Sequence, residues 1–421
     1  MTRRPGGLAI LFALAACGDV AGPDAGPDGP DPDGAGALVP CANGSAGGFP
    51  CSGVDLLAHI PLHELDPTRE NLTDLTDVWG WTDPDTGDEY ALVGRDDGLA
   101  IVNVTDPVNP VPVGHLPSAA PPSGWRDVKV YADHAFVVAD GAPGHGIQVL
   151  DLTRLRGLAE FTVLDADAHY TEVSSVHNIA INEETGFAYS VGNNTGGTTC
   201  GGGLHMIDVR TPKSPSFEGC FAEPGTGQAG TGYTHDAHCV VYRGPDADHA
   251  GREICVGSNE TVVVIADVTD KDAPALISIG SYPDYGYVHQ GWLSEDHRYF
   301  FQDDEADELM GNAPRTRMLV WDVTDLDDPV VVTEHFGPTG ATDHNLYVSG
   351  DLVYHSNYAF GIRVIDVSDP ETPFERGFFD THPDSDDPSF RGSWSNYPFF
   401  DSGTIVVTSA REGLFLLRLQ P

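Results

Sequence analysis

A short apolar stretch recurs seven times along this chain: Leu99–Asn103, Ile147–Asp151, Leu204–Asp208, Val263–Asp267, Met318–Asp322, Ile362–Asp366 and Leu414–Arg418. Most copies end in Asp, and several are followed by a turn such as Asp106-Pro107 or Asp369-Pro370. The mean spacing is about 52 residues, the length of one four-stranded blade in a β-propeller. An earlier apolar strand precedes each copy (Ala91–Gly94, Ala135–Ala139, Ile254–Gly257, Ile405–Thr408), and another follows the turn (Val111–Leu116, Leu276–Tyr282, Val330–Phe336, Phe374–Asp380). Strong helical periodicity is absent, which argues against α-solenoids and α/β folds. The expected fold is all-β: a seven-bladed propeller of four-stranded blades. The seventh copy leaves no room for its outer strand, whereas Leu56–Leu62 resembles the outer strand of the first repeat, so an N-terminal strand is expected to complete the last blade and remove an open edge.

The beginning of the chain has a different character. Arg3 and Arg4 precede an apolar run, Leu8–Ala15, too short to span a bilayer, which predicts an export signal over residues 1–16. Leu14-Ala15-Ala16-Cys17 resembles the lipobox of bacterial lipoproteins, which implies cleavage before Cys17 and a lipid on its thiol. Acyl chains there would tether the protein to a membrane without a spanning helix. Residues 17–40, mostly Gly, Ala, Pro and Asp, cannot bury enough apolar surface to fold and are expected to be a disordered spacer, with the propeller at 41–421.

Six cysteines remain besides Cys17, an even number suited to an oxidising, extracytoplasmic compartment. They fall into neighbouring couples: Cys41 with Cys51, Cys200 with Cys220, and Cys239 with Cys255. Spacing alone does not settle connectivity, but these couples are the expected bridges, since none has the tight spacing of a zinc–cysteine site. With 21 basic and 64 acidic residues, a net charge of −43, the chain repels phosphate backbones, and nucleic acid is excluded as a partner.

The apolar copies look like the LVIVD repeat, and residues 55–421 resemble the bacterial propeller family called choice-of-anchor B. His177–Ile181, His289–Asp296 and Asp343–Tyr347 add to the likeness, and Asn103 and Arg418 depart from the repeat's final Asp. The resemblance implies a propeller at a cell surface and brings no activity with it.

Aligning the starts of the innermost strands gives Thr76, Arg126, His177, His238, His289, His344 and Ser395 as equivalent positions, so four successive blades carry histidine around the channel. The ends of the next strands should share that rim: Arg95-Asp96-Asp97, Asp140, Asn193-Asn194, Asn259-Glu260, Asp303-Asp304-Glu305, Asn357 and Arg411-Glu412, with His235 and Asp236 approaching. One expectation is a divalent zinc, copper, iron or manganese ion on His177, His238, His289 and His344, with Glu260, Asp303 or Asp304 as further ligands or supports. The competing expectation is a wet channel of mutually hydrogen-bonded side chains. Calcium in the Asp303–Glu308 loop is weighed against a solvated acidic loop, which is favoured.

Two function classes follow. The favoured one is a monomeric surface module that binds a protein, glycan or small molecule, for which Trp125, Tyr170, Tyr233, Tyr285, Tyr287, Tyr358, Phe360, Trp394 and Tyr397 offer aromatic contacts. The alternative is a metal-dependent hydrolase, lactonase or oxidase. The chain has no Gly-x-Ser-x-Gly elbow and no His-Glu-x-x-His, so no residue pattern names a reaction. Trp79, Trp81, Trp292 and Trp321 fall inside strand patterns and are expected in the core.

Overall fold

A computed structural model describes residues 37–69 and 72–421. The export signal and Cys17 lie outside the described residues. The chain forms seven antiparallel blades around a central channel. From the channel outward, the first blade runs Leu75–Thr82, Glu89–Arg95, Gly98–Asn103 and Val111–Pro117. The next five follow the same order, with innermost strands at Arg126–Tyr131, Asn178–Asn182, Asp236–Val241, Val288–Leu293 and Leu346–Ser349. The seventh has Ser393–Tyr397, Ile405–Ser409 and Gly413–Leu419, and its outer strand is Val54–Ile60 from the other end of the chain. Thus N- and C-terminal segments close the ring, as the repeat count requires.

The repeated stretch is the third strand of each blade, and its side chains are buried between neighbouring blades (Ile101, Val149, Met206, Ile265, Val320, Val364, Leu416). Its terminal Asp has a local task. The side chain accepts the backbone N–H two residues on at Asp151, Asp208, Asp267, Asp322 and Asp366, and Asn103 does the same to Thr105. Each such Asx-turn ends the strand and aims the chain toward the outer strand. Asn103 is therefore a functional equivalent, whereas Arg418 has no following turn to start. Between the third and fourth strands, the ladder slips at the same motif position in six blades.

Three disulfides join the expected couples, Cys41–Cys51, Cys200–Cys220 and Cys239–Cys255. Three bridges in one domain suit an oxidising environment. Cys239–Cys255 links directly opposed residues of two adjacent strands, and Cys41–Cys51 closes a hairpin whose strand Phe49–Ser52 extends the sixth blade. Pairing with the propeller begins slightly before residue 41, because Val39 exchanges backbone hydrogen bonds with Leu56. Among the described residues, no helix is long and apolar enough to cross a membrane.

Beside the closing blade, the Nδ1 atom of His382 lies 2.6 Å from Glu412 Oε1. That hydrogen bond raises the His382 pKa; burial pushes Glu412 up, but its bonds to His382 and Ser409 outweigh this and lower it. The pair is therefore complete between about pH 4.5 and 6.5. Its histidine part is lost as pH rises through the raised value, and its glutamate part as pH falls through the lowered one. Solvent screening holds the effect below about 1 kcal/mol. His382→Gln should reduce the fall in urea midpoint between pH 6 and 9; an unchanged fall would remove this pair as a contributor.

Candidate functional site

The structure assigns the ring by backbone register. His177, His235 and His344 each donate their N–H to the end of the neighbouring strand, at Val191 O, Ser258 O and Ser356 O respectively. The fourth-blade equivalent is therefore His235, which corrects the expectation of His238. Three residues further into the channel, His238 stacks on Trp292 at 3.7 Å between ring centres and accepts from Leu293 N–H through Nδ1. In the seventh blade the equivalent is Trp394 rather than Ser395: Trp394 lines the same pocket as the histidines, whereas Ser395 bonds Asp77 one layer below.

His177, His235, His289 and His344 form a continuous arc, with successive ring centres 4.1, 4.4 and 4.4 Å apart. Each imidazole is oriented through Nδ1. His177 meets Asp140 Oδ2 at 3.0 Å, His235 meets His289 O at 3.2 Å, His289 meets Asp303 Oδ1 at 3.1 Å and His344 meets Trp394 O at 2.6 Å. A carboxylate or carbonyl acceptor at Nδ1 favours a proton there, leaving Nε2 with its lone pair. Burial and then the neighbouring imidazoles hold His235 and His289 far below the usual histidine pKa, and burial takes His344 to about 3. Burial also pushes His177 down, but Asp140 outweighs it and leaves the pKa raised.

Glu305 supplies a carboxylate that sequence reading placed on the rim without choosing it as a ligand. Its oxygens lie 3.9 Å from His289 Nε2 and 3.6 Å from His344 Nε2, and it accepts a 2.7 Å hydrogen bond from Tyr358. One ligand atom from each of His289, His344 and Glu305 falls within 4.8 Å of the others. Burial raises the Glu305 pKa to about 7.

The remaining candidates separate. Asp303 supports His289 from behind rather than facing the pocket, since the same oxygen also accepts Gln290 N–H at 2.7 Å. Asp304 is fully buried and anchors a loop by accepting from Tyr282 and the Gly286 and Tyr287 amides, so it is no rim ligand. Glu260 accepts from the Tyr287 hydroxyl and the Gln228 amide, outside the His289–His344–Glu305 convergence. Asn357 is buried in a tight hairpin, and Arg411 turns outward to Asp74. Asp303, Asp304 and Asp307 are fully buried, so the 303–308 segment is not the solvated acidic loop expected.

Below the arc, polar side chains tie blade to blade. Ser395 bonds Asp77, Asn345 bonds Ser395, Gln290 makes two bonds to Leu346, and Asp127 accepts Ile179 N–H. Asp236 belongs to this layer and has its pKa raised to about 6 by burial. Deeper still, Trp79, Trp292, Tyr347 and Tyr397 pack edge to face, with Lys129 held over Trp79. This aromatic layer, His238 included, lines a second cavity deeper in the channel. As expected, Trp79, Trp81 and Trp321 are buried and Trp292 packs against the core, while Trp125 and Tyr285 are exposed at the surface.

The LVIVD repeat model matches residues 87–116 and 342–381, which hold the repeated strands of the first and sixth blades. This chain carries LVIVD repeats. A crystal structure of a protein from Lactobacillus plantarum is similar over 80% of this chain and 89% of that one, with TM-score 0.52 and 14% identity. The β-propeller domain of Cps50 (Swd1) from Myceliophteria thermophila is similar over 82% and 97%, with TM-score 0.53 and 11% identity. At such identities the likeness shows the propeller fold alone. No curated protein matches.

Proposed function

We propose that this LVIVD propeller is a lipid-anchored, extracytoplasmic metal-binding module. His289, His344 and Glu305 would hold a divalent transition metal at the channel mouth, with His235 and His177 continuing the arc beside them. The observation that carries the reading is that all four imidazoles are fixed through Nδ1, leaving Nε2 as the ligand atom. A chance cluster of buried histidines would have no reason to share this polarity, whereas metal sites need it. Imidazoles with one carboxylate suit zinc, copper or iron rather than calcium, whose ligands are oxygens. The anchor is assigned to Cys17, and the spacer up to residue 40 would carry the ring clear of the membrane surface.

The test is elemental analysis of the purified chain after dialysis against a weak chelator. The wild type should retain close to one equivalent, His235→Ala/His289→Ala should lose it, and His238→Ala should keep it. No metal in the folded wild type, or equal metal in the double variant, would end this reading. Loss in His238→Ala, with the fold intact, would return the site to the deeper layer.

A further inference from the structure

The histidine arc occupies blades three to six; the other ring positions are Trp394, Thr76 and Arg126, in blades seven, one and two. Arg126 lines the pocket together with His177, His235, His289 and His344, and is only 3% exposed. Four arginines are buried: Arg95, Arg126, Arg317 and Arg363. Three of them are paired, with Asp66 and Asp97, with Asp307, and with Glu375. Arg126 has no carboxylate at ion-pair distance among the described residues, in a chain with 64 acids. Its guanidinium is held instead by neutral groups: His145 Nε2 at 3.0 Å, Asp96 O at 3.1 Å and Ser118 Oγ at 2.7 Å. Arg126 Nε and the nearby Thr76 hydroxyl are buried without a partner.

A buried, unpaired guanidinium is costly unless something completes it. The Asp96 and Asp97 carboxylates act on its charge from a distance without forming an ion pair, and a binding site leaves a residue in that state. We infer that the pocket takes a small monoanionic carboxylate, gripped by Arg126 on one side and facing the histidine arc on the other. The pocket is small, with a cavity volume of about 20 Å³, far below the ~300–1,000 Å³ of sites for drug-sized ligands, so the ligand has only a few atoms. Glu305 stands beside His289 and His344, so a second negative charge on the ligand would face a carboxylate. The planar guanidinium fork matches a carboxylate. The inference rests on the metal reading only for what meets the ligand's far end.

The experiment is ¹³C-acetate line broadening on the purified chain, metal-loaded and metal-free, with metal content measured in the same samples and inorganic phosphate as competitor. Acetate should bind saturably and be displaced poorly by phosphate. Arg126→Gln should weaken binding by about tenfold or more while metal content stays unchanged. Should Arg126→Gln not fold, Arg126→Lys keeps the charge but loses the fork, and should still weaken acetate binding measurably. Absence of saturable binding to the wild type, or equal affinity in a folded Arg126 variant, would overturn the carboxylate site. Acetate binding in a chain that holds no metal would overturn the metal reading alone and leave this one standing.

Discussion

A chain beginning at Pro61 is expected to lose its cooperative unfolding transition and to aggregate. Removing the residues before Pro61 takes away Val54–Ile60, the outer strand of the seventh blade, and leaves the Gly413–Leu419 strand with an open edge. Val54, Leu56, Leu57 and Ile60 are all buried, at 0, 7, 4 and 6% exposure. At ~1.5–3 kcal/mol for each such side chain, their burial is comparable with the ~5–15 kcal/mol that stabilises a whole domain. An unpaired apolar edge also invites pairing between molecules. A chain beginning at Gly53 should keep the ring, because it loses the disulfide-closed hairpin on the sixth blade and the Val39 bridge to Leu56 but keeps every strand of the seventh blade. Differential scanning calorimetry with size-exclusion chromatography reads both. A wild-type transition in the Pro61 chain would show that the strand is a covering rather than a closure.

The second large effect concerns Lys129, one of only three lysines. Its ammonium bonds Asp77 of the first blade at 3.1 Å and Asp127 of its own blade, with all three side chains largely buried. Burial opposes the charge on Lys129, but Asp127 and then Asp77 outweigh it and raise its pKa well above normal. Lys129→Met keeps much of the volume over Trp79 but leaves two buried carboxylates facing each other. Losing one partner of a buried pair costs about 3–5 kcal/mol. Lys129→Met/Asp77→Asn/Asp127→Asn should recover a substantial part of that loss, since orphaned charge rather than lost packing is the cause. Urea unfolding of both variants measures this. A Lys129→Met loss under 1 kcal/mol, or a triple variant no better than the single, would contradict the assignment.

The histidine site was legible in part. His177, His289 and His344 could be aligned because apolar alternation continues directly after them. In the fourth blade two histidines lie three residues apart, His235 and His238, and alternation does not choose between them. Pairing of Asp236 with Ser258 chooses, and that is a property of the ladder. Glu305 was placed on the rim with Asp303 and Asp304, with nothing local to choose it over them. Its role depends on Tyr358, 53 positions away, and on imidazoles from two blades. Arg126 was aligned in the ring, but its lack of a carboxylate partner appears only when every neighbour is in place.

The sequence by itself determined the number of blades and the closure by an N-terminal strand. These follow from strand alternation, turn chemistry and repeat count, which are written within some fifty residues at a time. Tertiary structure alone decided which histidine joins the ring, which carboxylate faces it and which cation goes unpaired. Those outcomes arise where strands from separate blades converge on one axis, and the distances there are set by ring closure rather than by any local run of residues.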